Sequence, residues 1–271
     1  MVEPNRRPSK DEPAWWFIVS AGEIWLTEQQ HVPFGELQQM SFPDLADDVV
    51  MFIGELRERH CYLIIADYKD SRFEGGEFVP LRELLSHGDD ELFAMAGSAS
   101  QIAHFIQTHR FCGQCGSRMD WVDWELAAHC PRCQHRCYPR ISPCVIVAIE
   151  KHGQILLAQG KRHKTGRYSI LAGFVETGES LEQAAHREVM EEAGIEITDL
   201  RYRFSQPWPF PHSLMMGYTA RWKSGELHID PHELVTGDWF AFDELPEIPP
   251  PGTIARELID TLINDRSAAD E

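Results

Sequence analysis

Residues 181–193, Leu-Glu-Gln-Ala-Ala-His-Arg-Glu-Val-Met-Glu-Glu-Ala, read as a helix whose apolar face carries charge. Ser180 stands at its N-cap, and Gln183 three residues on completes a capping box. At about 100° per residue, Leu181, Ala184, Ala185 and Val189 fall on one stripe. Glu188 and Glu192 lie in the middle of that stripe and Glu191 at its edge. A solvated charge run would put its glutamates on the opposite face. Ionised carboxylates on an inward face are costly unless something compensates them, most simply a divalent cation. A few carboxylate oxygens around an otherwise hydrated ion suit magnesium.

Seven cysteines punctuate the chain, four of them as Cys112-x2-Cys115 and Cys130-x2-Cys133. Gly113, Gly116 and Pro131 supply turn-forming residues at both pairs. Four thiolates at this spacing predict a zinc ribbon, and a closed four-ligand sphere makes the zinc structural. A redox dithiol would present a single Cys-x-x-Cys in a βαβ unit instead. His135 is an alternative ligand; Cys137 and Cys144 read as buried small apolar residues. Paired cysteines of this kind and a polar Met1–Pro13 segment, unlike a secretory signal, point to the cytoplasm. No apolar run approaches the ~20 residues that would span a bilayer.

The ribbon divides the chain into three: 1–108, a small N-terminal α+β domain; 109–138, the ribbon; and 139–271. In the first, residues 15–19 and 23–26 bracket Ala21-Gly22 as a hairpin, and 61–66 form a further strand. Residues 79–86 and 90–109 read as helices, and no internal repeat is visible. In the third, residues 145–149 and 154–158 flank Lys151-His152-Gly153 as a hairpin, and 168–171 lead as a strand into Gly173. Strands follow at 195–197, 202–206, 215–222 and 237–242, then a helix over 253–264. Mixed strands with helices on both faces predict an α-β-α sandwich. The net charge of −18 argues against broad nucleic-acid binding. The one basic island holds Arg110, Arg118, Arg132, Arg136 and Arg140.

Residues 173–195 resemble the Nudix box of hydrolases that act on nucleoside diphosphates linked to another group. Gly173, Glu179, Arg187, Glu188, Val189, Glu191, Glu192, Gly194 and Ile195 meet its pattern without departure. The alternative is an acidic surface helix. A second segment, Ser205-Gln206-Pro207-Trp208-Pro209-Phe210-Pro211-His212-Ser213, reads as a stiff extended strap, because alternating prolines restrict φ and their neighbours. Trp208 and Phe210 would stack on a flat base, with Gln206 and Ser213 as polar ends; a core-filling connector is the alternative. This strap resembles the signature of the NADH pyrophosphatase family of Nudix hydrolases, which also carries a four-cysteine ribbon before the Nudix domain and a less constrained N-terminal domain.

The resemblance implies specific roles. Cys112, Cys115, Cys130 and Cys133 would hold zinc. Glu188, Glu192, Glu233 and the Ala172 carbonyl would hold magnesium or manganese, with Glu191 close by. Phe174 would stack on nicotinamide. Arg82, Glu125, Tyr138, the strap Gln206–Ser213 (including Pro207, Pro209, Pro211 and His212) and Ala255 would contact substrate. The implied reaction splits the pyrophosphate of NAD(H) into nicotinamide mononucleotide and AMP, with Glu188, Glu191 and Glu192 as catalytic residues. Glu191 and Glu192 are the candidate bases, and Arg187 is expected to orient a box glutamate. The resemblance extends this to NAD-capped RNA, leaving a 5′-monophosphate, and to a homodimer; the basic island, through Arg132 and Arg136, would guide the RNA. Rival readings are a Nudix hydrolase of ADP-ribose or dinucleoside polyphosphates, a non-catalytic Nudix-fold sensor, and a zinc-ribbon RNA-binding module.

Overall fold

The computed structural model describes residues 8–267 except 10, 41, 43–44, 46–48, 68–72 and 162–165; most of the polar N-terminal segment lies outside the described residues. The chain divides into two compact units. One comprises residues 1–140 with 209–212, the other 141–208 with 213–271.

In the first unit, β1 (Ala14–Ser20) turns through Ala21-Gly22 into β2 (Glu23–Thr27), as the sequence predicts. β3 (Phe34–Gly35) pairs with the start of β1. β4 (Val49–Leu56) and β5 (Arg59–Ile65) form a hairpin, with β5 lying parallel to β1. β6 (Gly76–Pro80) closes the order β4-β5-β1-β2-β6. The helix expected over 79–86 is therefore corrected. Val79 pairs with Ile24 as strand, and Leu81–His87 is a 3-10 helix. Pro80 explains the boundary: it pushes Val79 to extended geometry and has no N–H for a ladder.

α1 (Asp90–Thr108) starts at Asp89, whose carboxylate accepts from the Leu92 N–H at 3.1 Å. Its inward residues Phe93, Ala96, Ala99, Ile102, Ala103 and Ile106 join Phe17, Val19, Leu26 and Leu63 in the core. The ribbon follows as a three-stranded sheet of β7 (Asp120–Trp121), β8 (Ala128–His129) and β9 (Arg136–Cys137).

The second unit is built on β10 (Ser142–Lys151) and β11 (Gln154–Gly160). β12 (Leu171–Phe174) pairs antiparallel with β10, so Gly173 and Phe174 belong to the strand itself. α2 (Leu181–Ala193) follows, with the Ser180/Gln183 capping box formed in both directions and Gly194 ending it in the left-handed conformation. The two strands expected at 195–197 and 202–206 are one, β13 (Glu196–Trp208), with bulges and a positive φ at Asp199. β14 (Ser213–Ser224) lies parallel to β10, and β15 (Leu234–Ala241) pairs with β11. α3 (Ile254–Ser267) ends the unit.

Residues alternate along β10. Val145, Val147 and Ile149 pack with Ala184, Ala185 and Val189 of α2, whereas Cys144, Ile146 and Ala148 pack with Ile254, Leu258 and Ile259 of α3. One helix therefore covers each face, the α-β-α sandwich that the alternation of strands and helices predicts.

The strand order β13-β14-β10-β11-β15, with β12 on β10, repeats the first sheet strand for strand, including the single parallel pair. α1 and α3 each follow the last strand. Residue patterns concealed this repeat. In the first unit the connection between β3 and β4 carries, among the described residues, only the 3-10 turn Leu37–Gln39 where the second carries α2. Among the described residues the acidic helix thus belongs to one copy.

Candidate active site

The site grows from β12, the turn after it and α2. Gly173 sits on β12 where a Cβ would lie 1.8 Å from the Glu188 carboxyl carbon and 2.1 Å from each of its oxygens. A side chain at 173 and this carboxylate cannot coexist. In the following turn the Glu179 carboxylate accepts from the Glu176 N–H at 3.0 Å, and Gly178 takes a φ of +87°.

Arg187 ties these parts together. Its Nε and Nη2 donate to the two oxygens of Glu179 at 2.7 and 2.9 Å. Nη1 donates to Glu188 Oε1 and to Glu191 Oε2, both at 2.9 Å, and Nη2 also reaches the Phe174 carbonyl at 2.9 Å. A planar guanidinium can serve several acceptors at once in a fixed fork. The paired guanidinium, followed by the Glu176 N–H, brings the Glu179 carboxyl down to about 2.

Glu192 is only 6% exposed, and its Oε2 is buried with no hydrogen-bond partner. Burial first, then the charges of Glu188, Glu233, Asp230 and Glu191, push its carboxyl up to about 8. Burial likewise raises Glu188, against the pull of Arg187. The segment 230–233 is fastened beside α2: the Asp230 N–H donates to the Glu192 carbonyl, and the Lys161 N–H to that of Glu233, both at 2.9 Å. The Lys161 ammonium also donates to the Pro231 carbonyl. Glu188, Glu192 and Glu233 therefore act on one another electrostatically, while Ala172 lies exposed on β12 before Gly173. An orphaned buried carboxylate oxygen among further carboxylates is a donor set that suits a hard divalent cation.

The other candidates fall in several places. Phe174 is 55% exposed on β12. Glu125 and Tyr138 come together in the ribbon: Arg136 donates to Glu125 Oε1 at 3.0 Å and the Tyr138 hydroxyl to the same oxygen at 3.4 Å. Arg136 also lies 5.7 Å from the Trp124 ring centroid. Neutralising it would release Glu125 and Tyr138 as well as remove charge, whereas Arg132 is simply exposed.

The strap is a hairpin end rather than a free segment. Gln206, Pro207 and Trp208 pair with Met215, Leu214 and Ser213. Residues 206–208 and 213 belong to the second unit and 209–212 to the first. Gln206 is occupied by the chain itself: Nε2 donates to the Gly252 carbonyl and Oε1 accepts from the Ile254 N–H, each at 2.9 Å. It thereby holds the start of α3, where Ala255 is 7% exposed. Trp208 packs beside the α3 core and Phe210 beside the first-unit core. Both aromatics therefore serve packing as well as any stacking, and Arg82 sits 4.5 Å over the Phe210 ring.

The four ribbon cysteines bring all their Sγ atoms within 4.8 Å of one another, with Cys112–Cys133 at 3.6 Å and Cys115–Cys130 at 3.5 Å. These edges suit a tetrahedron built on Zn–S bonds of about 2.3 Å. The two knuckles repeat: the Gly116 and Gln134 N–H groups donate to Cys112 and Cys130 carbonyls, and both residues take positive φ. Bonds to Ser117 draw the Cys115 thiol down, while, against a bond from the His135 N–H, burial and the other three cysteines push that of Cys133 up. His135 stands outside the cluster, and Cys144 is buried, its thiol pushed up to about 12 by that burial.

Two residues escaped the reading of the sequence as site residues. Glu179 was visible in the box but has no apolar-stripe position to announce it; its part is to seat Arg187. Asp230 adds a further negative charge beside Glu192, and nothing in its local pattern marks it.

Comparison with known proteins agrees with this architecture. Residues 139–262 match the NUDIX domain, 107–138 the NADH pyrophosphatase zinc ribbon domain, and 13–104 the NADH pyrophosphatase-like rudimentary NUDIX domain. The last match accords with the repeated sheet. The NAD-capped RNA hydrolase NudC of Pectobacterium carotovorum is 46% identical over 253 residues, 93% of either chain. The proteins of that name from Edwardsiella ictaluri and Photorhabdus laumondii are 43% and 45% identical, over 94% and 93% of this chain and 95% and 94% of theirs. With three successive domains matched and this identity along nearly its whole length, the chain belongs to the NADH pyrophosphatase family of Nudix hydrolases.

Proposed function

We propose that this protein hydrolyses the pyrophosphate bond of NAD(H) to nicotinamide mononucleotide and AMP, and removes the NAD cap from RNA to leave a 5′-monophosphate. The observation that carries the reading is the buried, unpartnered Glu192 oxygen among Glu188, Asp230 and Glu233. Four carboxylates crowded in this way call for a cation, and the similarity to NAD-capped RNA hydrolases supports the substrate.

Glu188, Glu192, Glu233 and the Ala172 carbonyl would hold magnesium or manganese, which supplies charge neutralisation for the diphosphate and acidifies water. Gly173 gives the Glu188 carboxylate room against the strand. Arg187 is a positioning residue, fixing Glu188 and Glu191 at once. Glu191, exposed at the rim, and Glu192 are the candidates to take the proton from the attacking water. Phe174, exposed on the strand that carries Ala172 and Gly173, offers its ring face to nicotinamide. Arg82, Glu125, Tyr138, the strap and Ala255 form the proposed substrate contacts. A cytoplasmic homodimer belongs to the same reading and is checked by the solution mass of the purified protein.

The test is turnover of NADH, NAD, ADP-ribose and NAD-capped RNA with magnesium or manganese, products separated. Nicotinamide mononucleotide and AMP from NAD(H), and 5′-monophosphate RNA from capped RNA, are expected. Hydrolysis of ADP-ribose with NAD(H) and capped RNA left intact would overturn it.

A further inference from the structure

Near the C-terminus of α1 the first unit has a cavity of about 220 Å³ whose polar lining is Gln101, His104, Thr108, His109, Arg140 and His212. Gln101, His104 and Thr108 follow helical spacing and so share one face of α1. The Thr108 hydroxyl donates to the His104 carbonyl at 2.6 Å. His109 meets the Phe105 carbonyl and the Thr108 hydroxyl through Nδ1, at 3.2 and 3.1 Å, which leaves Nε2 for another partner. The His104 and His212 rings lie 5.9 Å apart.

The charge pattern is one-sided. Burial, then His212, His109 and Arg140, hold the His104 imidazole below its usual range, and no carboxylate acts on it. Among the described residues Arg140 makes no ion pair. In a chain with 43 acidic against 25 basic residues, a cavity whose described lining holds three imidazoles and a guanidinium but no carboxylate forms a place for an external anion. A metal ion does not suit it, because the Arg140 guanidinium in the lining would repel a cation. Guanidinium, imidazole and amide donors around a cavity of this size match a phosphate group.

His212 belongs to the strap proposed to hold the dinucleotide, which indicates whose phosphate this is. We infer that His104, His109 and Arg140, in the notch beside His212, bind a phosphodiester of the RNA chain that follows an NAD cap, a group that free NAD(H) lacks. This rests on the decapping reading above.

The experiment compares His104→Gln, Arg140→Gln and Arg140→Lys in the full-length protein, on NADH and on NAD-capped RNA at several salt concentrations. His104→Gln and Arg140→Gln should lower kcat/KM on capped RNA roughly tenfold through KM and weaken its salt dependence. Arg140→Lys should recover most of the loss, and NADH turnover should stay within about twofold because no chain phosphate is present. Equal losses on both substrates, or no loss on either, would overturn the inference. If the wild type splits NADH but leaves capped RNA intact, the decapping reading fails and the notch is judged alone. Inorganic phosphate should then shift the His104 and His109 ring-proton resonances in the wild type and not in Arg140→Gln, and silent resonances would refute an anion site.

Discussion

Glu192→Gln should stabilise the metal-free protein while abolishing its turnover. In the folded chain burial and four neighbouring carboxylates lift the Glu192 carboxyl from 4.5 to about 8. The folded form therefore binds this proton more tightly than the unfolded chain does. The stability tied to it is complete below the unfolded value and is lost as pH rises from there through about 8. At roughly 1.4 kcal/mol per tenfold, the loss at pH 7 is about 3 kcal/mol. Glutamine never ionises and removes that loss. It leaves an amide in the place of the unpartnered Oε2, which costs about 1 kcal/mol. The net gain, about 2 kcal/mol, corresponds to a rise of roughly 4–8 °C in Tm for a unit of this size. Thermal unfolding in EDTA at pH 7 and again near pH 4.5 measures it: the gain should be present at pH 7 and vanish in acid. Saturating magnesium should reverse the order, raising the wild type and not the variant. A metal-free variant that melts at or below the wild type at pH 7 would refute the argument, because it would mean the buried carboxylate carries no penalty.

Gly173→Ala puts a methyl 1.8 Å from the Glu188 carboxyl carbon, so manganese affinity, followed by the metal's EPR signal, should fall about 10- to 100-fold with the circular dichroism spectrum unchanged. Gln206→Ala leaves the Gly252 carbonyl and Ile254 N–H without their partner, and should cost about 1–3 kcal/mol in denaturant unfolding before any effect on substrate is considered. Stripping zinc, or Cys130→Ser, should loosen the ribbon and disperse Glu125, Arg136 and Tyr138; the fluorescence of Trp121 and Trp124 should change with the loss of zinc, and KM should rise before kcat falls.

The acidic helix was legible because its information is local. Caps, stripe and glutamates all lie within 15 residues, and a 3.6-residue period reports directly which carboxylates turn inward. The ribbon was legible for the same reason, since ligand spacing fixes each knuckle. The repeated sheet was not. Strand order is set by pairings between distant residues, such as Trp15 with Cys61 and Ser142 with Ser213, and many apolar sequences satisfy one pairing pattern. The strap shows an intermediate case. Its prolines announced stiffness, but not that Gln206 turns onto the start of α3, because that partner lies 46 to 48 residues away.

The spacing of the box has a mechanical origin in Arg187, and this yields a sharper test than loss of activity. Glu179 precedes the helix and Arg187 lies two turns into it, a distance that only a long side chain bridges. The same guanidinium then fixes Glu188, Glu191 and the Phe174 carbonyl. If Glu179 acts only by seating Arg187, then Glu179→Gln and Arg187→Lys disturb one element rather than two. Lysine keeps the charge but has no planar fork, so Arg187→Lys should lower kcat strongly. Glu179→Gln should lower it less, and adding it to Arg187→Lys should change little further. The expected coupling between the two is of the order of 1–3 kcal/mol in transition-state stabilisation. Additive losses would mean that Glu179 contributes to the reaction independently of Arg187, as a direct metal or substrate contact, and that the clamp does not account for the spacing.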